Sequence, residues 1–181
     1  MGDRSVQRVI FVRPLISMIL AMLLTMPLLT TQTRPVAADD APTWQRLDKK
    51  GIKSGRVEFG YGNLFAITCP ASLPTAMPRL LIHVQALDTA YESTSRYNLR
   101  VVINDYRADF GMIPQMGTLL FEASDFNQRE MFEEFVHQLI SAAQAGTDHA
   151  QLAISSLGWR GDLPLAAADQ ALNGLMDGCG E

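Results

Sequence analysis

Three histidines, a few clustered carboxylates and two cysteines are the residues of this chain whose types could do chemistry. Histidine titrates near neutrality and serves as a general base or a metal ligand. His83, His137 and His149 lie far apart in sequence, and none is within metal-ligand spacing of another. His83 alternates with Leu81, Gln85 and Leu87 as a strand residue does, and His137 borders a helical apolar stripe. Both settings favour a hydrogen-bonded structural histidine over a base. The densest charge set is Asp105-Tyr106-Arg107-Ala108-Asp109, where Asp105, Arg107 and Asp109 share one face if the strand continues that far. Two carboxylates around an arginine can hold a cationic group or exchange protons, or simply pair weakly at a solvated strand end. Glu130, Glu133 and Glu134 follow Asp125, but carboxylates early in a helix suit its dipole and no calcium-loop spacing is present.

The sequence holds no Gly-x-Ser-x-Gly elbow, His-Glu-x-x-His pair, phosphate-cradling glycine loop or dinucleotide fingerprint. It therefore predicts no metal and no cofactor. Cys69 and Cys179 are the two cysteines, with no Cys-x-x-Cys spacing and no histidine close to either. An even pair without metal or redox spacing predicts a structural disulfide in an oxidising compartment. Arg160-Gly161-Asp162 matches an adhesive tripeptide, although two of its residues are ordinary turn formers. Trp159 beside them is either an exposed anchor for protein or sugar recognition or a ring tucked over the core. The candidate binding residues are thus Trp159, Arg160, Asp105, Arg107 and Asp109.

The elements that must position these residues divide the chain into a sheet-forming half and a helical half. From Arg56 to Glu122 the apolar residues recur with period two. Val57, Phe59 and Tyr61 share a face, a turn at Gly60 and Gly62-Asn63 follows, and a second strand covers 64–69. Further strands are expected at 80–87, 97–105 and 116–122, with Gly111 and Pro114 breaking the segment between the last two. In the 97–105 strand Leu99, Val101 and Ile103 point inward while Asn98, Arg100 and Asn104 point outward. At Asp125 the period changes to 3.6. Asp125 can cap a helix with Gln128 three residues on, Phe132, Phe135, Val136 and Leu139 form its stripe, and Gly146 stops it. A strand at 151–157, a turn over 158–162 and a short helix near 166–177 complete the series, with Cys179 projecting toward the core. The expected fold class is α+β. Its antiparallel sheet has five or six strands, the long amphipathic helix packs on it, and a disulfide tethers the short C-terminal helix.

The N-terminus supplies an address. Arg4, Arg8 and Arg13 precede an apolar run over 15–29, and Val36-Ala37-Ala38 presents small residues for cleavage after Ala38. The competing reading, an uncleaved membrane anchor, needs roughly 20 apolar residues, and Pro27 interrupts the helix such an anchor requires. Residues 1–38 read as a signal peptide, 39–55 as a polar flexible lead-in, and 56–181 as one domain. Losing the signal removes four of 15 basic and one of 19 acidic residues, leaving 11 against 18 and a net charge near −7. An acidic domain with one short basic segment (Arg46, Lys49, Lys50, Lys53, Arg56) excludes nucleic acid as a partner. The sequence thus suggests a periplasmic or secreted accessory protein that binds another protein or an envelope component, without stable membrane insertion after processing. The alternatives are a small hydrolase with dispersed catalytic residues, His83 with Asp105 or Asp109 among them, and a structural or assembly protein of the envelope.

Overall fold

The computed structural model describes residues 41–70, 77–90 and 95–179. The expected signal peptide lies outside the described residues. Four strands, β1 (Gln45–Lys49), β2 (Ile52–Phe59), β3 (Asn63–Cys69) and β4 (Arg79–His83), run as an antiparallel meander. A one-turn helix, α1 (Leu87–Ala90), leads to β5 (Tyr97–Ile103), β6 (Tyr106–Gln115) and β7 (Thr118–Glu122). The long helix α2 (Phe126–Gln144) is followed by the hairpin β8 (His149–Ile154) and β9 (Trp159–Pro164), and by the short helix α3 (Ala168–Leu172). The strands make one sheet of nine in the order β1-β2-β3-β4-β7-β6-β5-β8-β9. β6 splices its two halves, since residues 106–112 pair with β5 and 113–115 with β7.

The architecture is the expected antiparallel sheet with a long helix and a disulfide-linked short one, but with nine strands where five or six were expected. Each extra strand has a physical reason. Lys50 (φ 51°) and Gly51 (φ 77°) form a two-residue turn with both φ positive, which folds 45–49 back onto β2. β1 is an edge strand whose residues are mostly exposed, so it carries no apolar alternation, and residues 45–49 and 52–55 of the expected lead-in are strand. β5 ends at Ile103, and Asn104 (φ 50°) with Asp105 reverses the chain into β6. There Ala108, Phe110 and Met112 are buried on the inner face while Gly111 sits exposed on the outer one. Pro114 is tolerated because pairing with β5 has ended at Met112, so β6 has only β7 beside it there. Gly158 (φ 61°) closes a 3-10 turn over Ser155–Leu157, so Trp159-Arg160-Gly161-Asp162 is strand and not the expected turn. The last helix stops at Leu172, short of the expected 177, and Gly174 follows in the left-handed region (φ 62°).

α2 begins where Asp125 caps it: its carboxylate accepts from the Gln128 amide at 2.8 Å, while the Gln128 side chain accepts from the Ser124 amide at 2.8 Å. Phe132, Phe135, Val136, Leu139 and Ala142 bury its inner stripe against the sheet. Aromatic rings link the layers: Phe110 meets Phe135 and Phe121 edge-on at 4.9 and 5.1 Å, Phe65 meets Phe135 at 6.4 Å, and Trp44 meets Phe65 at 5.8 Å.

The C-terminal segment is sewn to the first two strands. The Trp44 amide donates to Ala166 O at 3.0 Å and its indole Nε1 to Pro164 O at 2.7 Å, which draws the start of β1 to the end of β9. Arg46 donates to Ala171 O and Asn173 O, and Lys53 to Asp177 O, so two members of the basic segment satisfy carbonyls in the last turn of α3 and beyond it. Gly55 leaves room for α3, because a Cβ there would stand 2.5 Å from Leu172 Cδ2. Cys69 at the end of β3 is disulfide-bonded to Cys179, with a Cα separation of 5.6 Å.

Candidate functional site

Alternation along β6, β5, β8 and β9 sends one set of side chains to the core and the other to an outer face. The core set is Ala108 and Phe110, Leu99 and Val101, Ala150 and Leu152, and Leu163. The outer set forms two registered rows. One reads Asp109, Arg100, Ala153, Arg160 and the next Arg107, Val102, Gln151, Asp162, from β6 to β9. Arg100 Nε lies 2.9 Å from Asp109 Oδ1 and Arg107 Nε 3.4 Å from Asp109 Oδ2, so the carboxylate is flanked by a guanidinium on each oxygen. Asn98 Nδ2 adds a bond at 3.3 Å to Oδ1. The Arg160 side chain, exposed at the far end of the row, has no hydrogen bond or ion pair among the described residues. Arg100 and Arg160 therefore face each other across Ala153, about 10 Å apart at their Cα atoms by the spacing of adjacent strands. A groove of about 680 Å³ runs here, lined by Arg100, Gln151, Ala153, Arg160 and Asp162, with Trp159 at its edge.

Of the candidates read from sequence, Arg107, Asp109 and Arg160 come together on this face. Asp105 does not, because it sits in the β5–β6 turn and the strand does not continue through it. The signal was present: Asn104-Asp105 is a turn pair flanked by period-two runs on both sides. Trp159 lies on the core side of β9. It opposes buried Ile154, packs against the core, and covers Gly161 so closely that a Cβ there would be 2.7 Å from its Cζ2. Arg100 and Asn98 were legible as outward residues, whereas Gln151 and Asp162 join the site through cross-strand register, which no local pattern carries.

The other polar candidates stay apart. His83 Nδ1 is bonded to Gly117 O at 2.9 Å and its Nε2 is 4.0 Å from Asp88 Oδ1. Register puts His83 in line with Thr118 and Gln115, so Asp109 lies six residues further along β6, about 20 Å away, and Asp105 further still. His83 and these aspartates cannot share a substrate. Glu130, Glu133, Glu134 and His137 occupy the exposed outer face of α2. Among the described residues no group of three or more His, Cys, Asp or Glu is placed to hold a metal ion, and no helix is long and apolar enough to cross a membrane. Tyr106, at the start of β6, has its phenol held above the usual value by burial and, secondarily, by the charge of Glu134. No protein family, curated protein or solved structure matches this chain.

Proposed function

We propose that this chain is an exported binding module whose β6-β5-β8-β9 outer face receives an anionic segment of another protein or of an envelope component. The observation that carries the reading is the facing pair Arg100 and Arg160 across Ala153, with Arg160 unengaged and Arg107 in the adjoining row. Guanidinium groups offer paired donors that match carboxylate or phosphate oxygens, and two of them across a small-residue floor leave room for such a group between them. Asp109 already holds Arg100 and Arg107 in place, so the cationic face is ordered before a ligand arrives. The disulfide supports export, since such bonds persist in oxidising compartments.

The test is fluorescence anisotropy with a labelled glutamate-rich peptide against the protein and its Arg160→Ala and Arg107→Glu variants, with an oligolysine peptide as control. Binding that falls at least tenfold in both variants, weakens with salt and leaves the melting temperature within about 2 °C is the expected result. Equal affinity for both peptides, or unchanged affinity in the variants, overturns the assignment.

A further inference from the structure

Two hairpin turns carry side chains that neither their turn geometry nor the core requires. The β6–β7 turn has Met116 at φ 49° and Gly117 at φ 80°, a type whose first position favours asparagine, aspartate or glycine. The β2–β3 turn places Gly60, Tyr61 and Gly62 at φ 35°, 33° and 79°. Met116 is 96 % and Tyr61 94 % exposed. A bulky residue with positive φ is held against a steric penalty, and strain of that kind concentrates at functional positions. Here it presents a large apolar side chain to solvent at each of two tips.

The tips lie at one end of five adjacent strands. Phe59 pairs with Asn63, Leu64 with His83, Ile82 with Leu119 and Gln115 with Thr118, which sets the turns three strand spacings apart, about 14 Å along the sheet. Both are fixed to the exit of β4. His83 Nδ1 is bonded to Gly117 O at 2.9 Å, and the Gln85 amide donates to Asn63 Oδ1 at 3.1 Å. Behind a mainly polar row that includes His83, Thr118 and Gln115, one outer row is apolar, with Ile113, 52 % exposed, paired to Leu120, 7 % exposed, and Leu120 to Leu81. Among the described residues, the charged ones on the tip segments are Glu58 and Asp88, with Arg96 before β5.

The geometry points to a peripheral membrane-docking edge, in which Tyr61 and Met116 enter the interfacial zone of a zwitterionic bilayer. Two separate protrusions suit a deformable apolar phase, whereas a protein partner would need two matching pockets at that spacing. The phenol of Tyr61 is of the amphipathic kind that settles at a headgroup boundary, and the Met116 thioether on the other tip is apolar enough to follow it. Glu58 and Asp88 complement the ammonium of an ethanolamine headgroup, and among the described residues the tip segments hold no cluster of cations that would draw the edge to anionic lipid. This edge is distinct from the arginine-bearing groove, so either can fail without the other.

The experiment places tryptophan at one site at a time in the full chain, as Tyr61→Trp, Met116→Trp and, at the opposite-end β1–β2 tip, Lys50→Trp. Each is mixed with phosphatidylethanolamine–phosphatidylcholine vesicles carrying brominated acyl chains. This readout reports the tips and is blind to the apolar run near the N-terminus. Quenching of at least twofold at positions 61 and 116 over the wild-type background, and none at 50, is expected, unchanged between low and high salt. Equal quenching at all three sites, none at 61 and 116, or quenching that needs anionic lipid and vanishes with salt overturns the proposal. Tyr61→Asn and Met116→Asn separate docking from folding, because asparagine suits positive φ. Each should lower vesicle partitioning about tenfold while leaving the melting temperature unchanged or raised. Lowered melting temperatures would make these residues structural and overturn it, and so would a protein ligand lost in both variants with vesicle binding intact.

Discussion

Replacing Trp44 by alanine removes a side chain that is 4 % exposed, stacked edge-on with Phe65 at 5.8 Å and bonded through Nε1 to Pro164 O at 2.7 Å. Truncating a buried tryptophan costs about 3–5 kcal/mol, the lost transfer energy plus the cavity left behind. Within that total, about 0.5–1.5 kcal/mol belongs to the indole hydrogen bond. A domain of this size loses about 3–4 °C of melting temperature per kcal/mol, so the expected fall is about 10–20 °C. Circular dichroism melts of the oxidised protein measure it, and Trp44→Phe, which keeps a ring but loses the donor, should fall by about a third as much. Hydrogen exchange adds location: the amides of β9 should lose protection in Trp44→Ala, since Trp44 joins that strand to the start of β1. A melting temperature within about 2 °C of wild type would refute the reasoning, because it would put residues 44–49 outside the cooperative unit, as a flexible lead-in would be.

The disulfide spans 110 residues, and a loop of that length is worth about 4–5 kcal/mol in the chain-entropy account, so Cys69→Ser with Cys179→Ser should lower denaturant stability by an amount of that order. A loss below about 1 kcal/mol would mean that Arg46, Lys53 and the α3 packing already hold the C-terminal segment without it. Tyr106 should ionise above the usual phenol value near 10 in an ultraviolet titration read as wild type minus Tyr106→Phe, and Glu134→Gln should bring it part of the way back. Because the folded value is the raised one, its contribution to stability is present below pH 10 or so and is lost as pH climbs through the folded value. A titration indistinguishable from free tyrosine would remove both causes.

The legible part of this fold was the part written in local periodicity. The stripe of Phe132, Phe135, Val136 and Leu139 and the Asp125 cap gave α2 within two residues at each end, and the alternation through Leu99, Val101 and Ile103 gave β5. The even cysteine count gave the bridge. What stayed illegible was pairing. β1 is a strand because of the turn at Lys50-Gly51 and the anchor at Trp44, and its own five residues are polar enough to read as linker. β6 runs through Gly111 and Pro114 because one is outer-facing and the other stands where β5 no longer pairs, which is knowable only once the neighbours are placed.

The same distinction explains why the proposed binding face was half visible. Arg107 and Asp109 are two apart on one strand, so their shared face follows from the pleat alone. Arg160 joins them only through three registered ladders, from β6 to β5 to β8 to β9, each of which would send it to the core if shifted by one residue. Trp159 is the control for that statement. It neighbours Arg160 in sequence, yet the pleat turns it the other way, over Gly161 and partly buried against the core, the second of the two settings its sequence allowed. Trp159→Ala should therefore lower stability in the manner of a core truncation, whereas Arg160→Ala should leave it unchanged and act on binding. Observing the reverse pair of effects would make Trp159 the contact and Arg160 a structural residue, and dismiss the arginine pair as the binding feature.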